Sequence, residues 1–176
     1  MNNFKRCNPH PQGKIVRDCV KRACVIASEI NYHDIAIMLN RFRTTSGGSK
    51  FNSNENWKPF VEQVLLGHKN KGDMQHEFYG RRYTVSEWAK YWDSGKSLLR
   101  VAKHLVACKD GYYYDTWDSG EKGVYIAYFI PSYEKIVEHI RKNYPKLCKG
   151  LTLERYRARI SLLWKQEQYK NYTTKK

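Results

Sequence analysis

Several signatures are missing from this chain, and each absence removes a class of protein. Its five cysteines, at positions 7, 19, 24, 108 and 148, form no C-x-x-C pair and are odd in number. That spacing describes neither a disulfide framework nor a zinc ribbon, and it suits a reducing cytosol. His10, His33, His68, His76 and His139 share no ligand spacing with the cysteines, so neither a metal nor any other cofactor is expected. There is no G-x-x-x-x-G-K-[ST] loop and no dinucleotide fingerprint. No stretch approaches the ~20 apolar residues of a membrane-spanning helix. The opening Met-Asn-Asn-Phe-Lys-Arg-Cys-Asn-Pro carries no apolar run behind its charges, which argues against a secretory signal. Nothing repeats at a solenoid period. Acidic residues are scarce: 17 Asp and Glu stand against 32 Lys and Arg, a formal +15. Such a surface attracts polyanions or acidic partners and says nothing about fold. A cytoplasmic location is expected, the host-cell cytoplasm if the gene is carried by a phage.

What is present fits one domain. Of 176 residues, 41% are hydrophobic and 14% aromatic, enough for a substantial core. The most informative stretch runs from His104 to Asp118. Asp110-Gly111 separates two runs of aliphatic and aromatic residues, the strongest short-range signal for a hairpin with a two-residue type I′ turn. Counting from that turn pairs Lys109 with Tyr112, Val106 with Asp115 and His104 with Trp117, and strand alternation then puts His104, Val106, Asp115 and Trp117 on one face. His104 and Asp115 become diagonal neighbours, roughly 7–8 Å apart at the backbone, a gap that a hydrogen bond closes. Asp118 is the rival carboxylate, and parity points it the other way.

A histidine oriented by a carboxylate calls for a nucleophile. Cys19 occupies the boundary where loop sequence containing Pro9, Pro11 and Gly13 gives way to an apolar helical run ending near residue 30. Asp18 reads as the N-cap, which makes Cys19 the first helical residue. Unpaired amides and the helix dipole favour thiolate there. Cys24 and Cys108 lack such a setting and read as core thiols.

With these residues in view, the chain resembles the papain-like cysteine peptidase superfamily. The resemblance is strongest to bacteriocin-leader-processing peptidases and to small papain-like proteins of bacterial and phage genomes. It rests on Asp18-Cys19 opening a buried helix, His104 opening a hairpin strand and Asp115-Thr116-Trp117 on the next, over roughly residues 8 to 130. It implies a Cys19–His104–Asp115 triad with Trp117 shielding the histidine's hydrogen bond. The family also places an oxyanion-hole Gln six residues before the nucleophile. Gly13 stands at that position here, which makes Gln12 the candidate, with the Cys19 amide as second donor.

The remaining pattern is that of an α+β protein. Helices are expected over about residues 33–43, 53–67 with Gly67 as C-cap, and from a Thr84-Val85-Ser86-Glu87 capping box onward. An antiparallel sheet follows, with strands near 97–102, the hairpin, and 123–130. Residues 1–17, 44–54 and 68–80 read as loop or polar connection. A helix follows Pro131-Ser132. Residues 1–145 form the papain-like hydrolase domain in this reading, and 146–176 a basic helical extension packed on it. That extension holds nine Lys and Arg against Glu154 and Glu167, leaving +7.

The expected activity is cleavage of a peptide, isopeptide or amide bond in a protein or peptide substrate. A transglutaminase-like acyltransferase has the same triad. A basic nucleic-acid-binding protein, with the three residues incidental, is the non-enzymatic alternative, and an acidic partner or nucleic acid would dock on the basic C-terminal helix.

Overall fold

Two tight turns set the register of the sheet. The computed structural model describes residues 3–47, 53–72, 74–75, 80–151 and 153. In it β3 (Lys96–Val101), β4 (His104–Lys109) and β5 (Tyr112–Asp115) form an antiparallel meander. Asp110 and Gly111 both take positive φ, 50° and 82°, as a type I′ turn requires. Lys109 pairs with Tyr112, Cys108 with Tyr113 and Ala107 with Tyr114, the register obtained by counting. At the other end Ala102-Lys103 closes the β3–β4 turn, with Val101 opposite His104 and Lys103 at φ 55°. β6 (Ile126–Ile130) lies antiparallel to β3.

The sheet edges depart from the sequence reading. Within the expected N-terminal loop, β1 (Phe4–Arg6) runs parallel to β5, and β2 (His68–Lys69) pairs with β6 inside the expected polar connection. The sheet is therefore mixed and six-stranded, in the order β1-β5-β4-β3-β6-β2, and not purely antiparallel. A parallel pair needs a long crossover, and the helical first half of the chain supplies it.

The helices are α1 (Cys19–Ser28), α2 (Tyr32–Ser46), α3 (Asn54–Pro59), α4 (Val85–Tyr91), α5 (Tyr133–Asn143) and α6 (Pro145–Cys148). The Thr84–Glu87 capping box forms as expected. The third helix does not run on as α-helix to Gly67. After Pro59 it becomes a π-helical turn, Phe60–Val64, and Leu66, not Gly67, adopts the left-handed conformation at φ 55°. Gly67 serves packing instead, since a Cβ there would stand 2.5 Å from Val61 Cγ1.

Strand alternation divides the core into two layers. Leu98, Leu105, Ala107 and Tyr114 face the cluster containing α1, α2 and α5, whereas Leu99, Val101, Val106, Cys108 and Tyr113 pack with Trp88 of α4 on the other side. Cys24 and Cys108 are buried, one in each layer. α6 joins the first layer through Leu147, and Arg41 of α2 donates to the Leu147 and Lys149 carbonyls at 2.8 and 2.9 Å. The expected last helix lies outside the described residues. No helix among the described residues is long and apolar enough to cross a membrane.

Candidate active site

Cys19 is the first residue of α1, where the helix presents amides that have no acceptor within it. The residue before it does not act as the sequence suggests. Asp18 makes no side-chain cap bond. Its buried carboxylate pairs with Arg22, one turn further on, and accepts a 2.7 Å hydrogen bond from the Tyr32 hydroxyl of α2. A guanidinium and a phenol at these positions outcompete neutral backbone amides for a carboxylate, because charge-assisted bonds are the stronger ones. Arg22 Nη1 also donates to the Val16 carbonyl at 3.0 Å. Asp18 and Arg22 thereby tie α1 both to α2 and to the segment that leads into it.

On the sheet side, His104 Nε2 and Asp115 Oδ2 are hydrogen-bonded at 2.6 Å. With the carboxylate ionised, Nε2–H is the donor. Asp115 Oδ1 accepts from the Thr116 amide at 2.7 Å, and the carboxyl is buried. The imidazole also couples to the Cys19 thiol, each lowering the cost of the other's charge, and Nδ1 is the ring nitrogen that Asp115 leaves available. The Trp117 ring lies 5.3 Å from that of His104, centroid to centroid, tilted by 35°. Asp118 is occupied elsewhere, accepting from the Tyr113 hydroxyl and from the Gly120 amide. Alternation assigns His104 and Asp115 to the α4 layer, yet Cys19 packs with the α1 layer. They meet because His104 is the first residue of β4 and Asp115 the last of β5, so their side chains stand at the sheet's end.

Electrostatics follow from these contacts. Burial pushes the Cys19 thiol up, but the His104 hydrogen bond and charge, a hydrogen bond from the Leu105 amide and the Arg22 guanidinium together hold it below the ordinary thiol value. Burial pushes the imidazolium down, yet Asp115 and Cys19 raise His104 to about 9. Each group thereby favours the charged form of the other, thiolate beside imidazolium.

Gln12 is exposed, on a loop held by Asn8, whose amide donates to the carbonyls of Gly13 and Lys14 at 2.9 and 3.2 Å. The Gln12 backbone N–H donates to His10 Nδ1. Ile15 and Val16, on the way from this loop to Cys19, are exposed, as is Trp117 on the histidine side. Among the described residues no three of His, Cys, Asp and Glu converge as a metal ion would require.

No family model, curated protein or solved structure matches this chain. Asp115 offers a sharp test of what the cluster does. The carboxylate accepts from two N–H groups, His104 and Thr116. An asparagine has one acceptor oxygen to share between them. Asp115→Asn should accordingly slow alkylation of Cys19 at mildly acidic pH by several-fold, on the order of one unsatisfied buried hydrogen bond, and Asp115→Ala should slow it more. Equal rates in wild type and both variants would mean that the carboxylate does not support the imidazolium.

Sequence reasoning missed Arg22, Tyr32 and the Leu105 amide. The i, i+4 spacing of Asp18 and Arg22 was the available signal for the first.

Proposed function

We propose that this protein is a papain-like cysteine hydrolase acting on peptide, isopeptide or other amide bonds. One observation carries the reading: a single imidazole, hydrogen-bonded to a buried carboxylate, couples electrostatically to a thiol at a helix N-terminus. In the proposed cycle the Cys19 thiolate attacks the carbonyl carbon, and the carbonyl π pair moves onto oxygen. The Cys19 amide, pointing out of the first turn, stabilises that oxyanion, with Gln12 as the candidate second donor. As the tetrahedral intermediate collapses, His104 gives its Nδ1 proton to the departing amine, leaving a thioester. Neutral His104 then takes a proton from water, whose oxygen attacks the thioester and expels Cys19 as thiolate. Asp115 keeps Nε2 protonated and stabilises the imidazolium whenever it forms.

The exposed Ile15, Val16 and Trp117 support an extended polypeptide as substrate, because they offer apolar contact on either side of the nucleophile and base. The test is to incubate wild type and Cys19→Ala with a cell lysate and compare new protein N-termini by mass spectrometry. New termini dependent on Cys19 are expected. A wild-type digest identical to that of Cys19→Ala, with no product trapped by an added primary amine either, would remove both hydrolysis and acyl transfer.

A further inference from the structure

We propose that the concavity bounded by Lys69, Lys71, Arg82 and Tyr125 binds single-stranded nucleic acid, its cations taking phosphates and the Tyr125 ring a base. None of these residues belongs to the Cys19 cluster, so the inference stands apart from the peptidase reading.

The cavity, about 480 Å³, lies where the end of β2, the segment following it and the approach to β6 meet. Its walls are fixed by backbone bonds. The Asn70 amide donates to the Ala127 carbonyl at 2.9 Å, Tyr83 to Met74 at 3.0 Å and Tyr125 to Arg100 at 2.8 Å, and Gln75 forms a bridge with Arg82. Such a cavity exists before a ligand arrives, which lowers the ordering cost of binding.

Its chemistry is cationic and polar. Among the described residues, Lys69, Lys71 and Arg82 line it with the amides of Asn70 and Gln75, and Met74 and Ile126 add aliphatic surface. Cations elsewhere that meet carboxylates include Arg22, paired with Asp18, and Lys96 and Lys109, paired with Glu29. The Arg82 guanidinium stands 4.5 Å from the centre of the Tyr125 ring, with Arg100 at 5.8 Å from the same ring. A guanidinium held against an aromatic ring keeps its N–H edge directed outward, the geometry that grips phosphate in a bidentate manner. The ring remains 42% exposed, which leaves surface for a base.

Three cations around one cavity match the repeated charge of a phosphodiester chain better than the isolated carboxylates of a peptide. An aromatic ring beside cations is the usual platform for unpaired bases, and a base enters a cavity only from an unstacked strand. The formal +15 of the whole chain adds a long-range attraction of the right sign.

The experiment uses full-length protein and a fluorescein-labelled oligothymidine of about a dozen nucleotides, read by anisotropy at about 50 and about 200 mM salt. Wild type should bind and weaken steeply with salt. Lys69→Gln/Lys71→Gln/Arg82→Gln should weaken binding at least tenfold and flatten the salt slope by about 2, near 0.7 for each lost phosphate contact. Tyr125→Leu should weaken it about fivefold or more with the salt slope kept. Unchanged iodoacetamide labelling of Cys19 in each variant shows that the fold is intact. Several outcomes overturn the proposal: no binding by wild type; wild-type affinity in the cavity variants, with loss confined to Lys165→Gln/Lys170→Gln in the basic tail; a preference for duplex; or tighter binding of polyglutamate than of the oligonucleotide.

Discussion

At pH 6 iodoacetamide should alkylate Cys19 before any other cysteine of the folded protein, and His104→Ala should slow that reaction at least about tenfold. Cys24 and Cys108 are buried, and burial pushes both thiols far above the ordinary value. The sign for Cys19 is opposite, since its pKa is lowered overall. Its thiolate is retained as pH falls through the ordinary thiol range and is lost only below the depressed value. His104 is raised, to about 9, so the imidazolium that stabilises the thiolate persists until pH rises through that value. The labelling rate should be flat between the two limits. Turnover, which needs the imidazolium proton for the leaving amine, should fall again above about pH 9. The same raised pKa makes His104 stabilise the fold fully below its unfolded value near 6.5, with that contribution lost as pH rises through about 9. Labelled peptides quantified by mass spectrometry across the pH range supply the profile. If all five cysteines react alike, or if His104→Ala leaves the Cys19 rate unchanged, there is no ion pair.

The second large effect is expected from Arg22→Met. Asp18 and Arg22 are 2% and 7% exposed. Removing the guanidinium leaves a buried carboxylate with the Tyr32 hydroxyl, and it frees the Val16 carbonyl that Arg22 also holds. Breaking a buried pair from one side typically costs about 3–5 kcal/mol. The urea midpoint should drop accordingly, and Cys19 labelling should slow as well, because the Arg22 charge helps to lower that thiol. The double variant Asp18→Leu/Arg22→Met should recover part of the lost stability, since no lone charge then remains buried. A single variant as stable as wild type would show that the pair contributes nothing net.

The candidate cluster was legible because its determinants are local. Asp110-Gly111 fixes a two-residue turn, the turn fixes the register, and parity then separates Asp115 from Asp118. Helix starts at Cys19 and Val85 were legible for the same reason, through the residues that precede them. The two short edge strands were not. Three residues, Phe-Lys-Arg, and two, His-Lys, carry no measurable alternation, and their pairing is set by strands far along the chain. Asp18 was placed correctly but given the wrong partner. Its hydroxyl donor, Tyr32, lies on the next helix, and nothing in the local pattern brings it near. The π-helical turn after Pro59 was hidden because an apolar stripe looks the same whether a turn holds one residue more or fewer.

The parallel pairing of β1 with β5 gives synthesis an order. On the ribosome Cys19 emerges well before His104 and Asp115, and β1 has no strand beside it until β5 is made. Arg6 faces Asp115 in the finished sheet, and the Cys7 amide bonds the Asp115 carbonyl at 2.8 Å. A chain that ends before β5 already carries His104 and Leu105 but not Asp115, the carboxylate that raises the imidazole. The support behind His104 therefore arrives only with the strand that also gives β1 its neighbour, so the residue pair is completed and the sheet edge is covered in the same step.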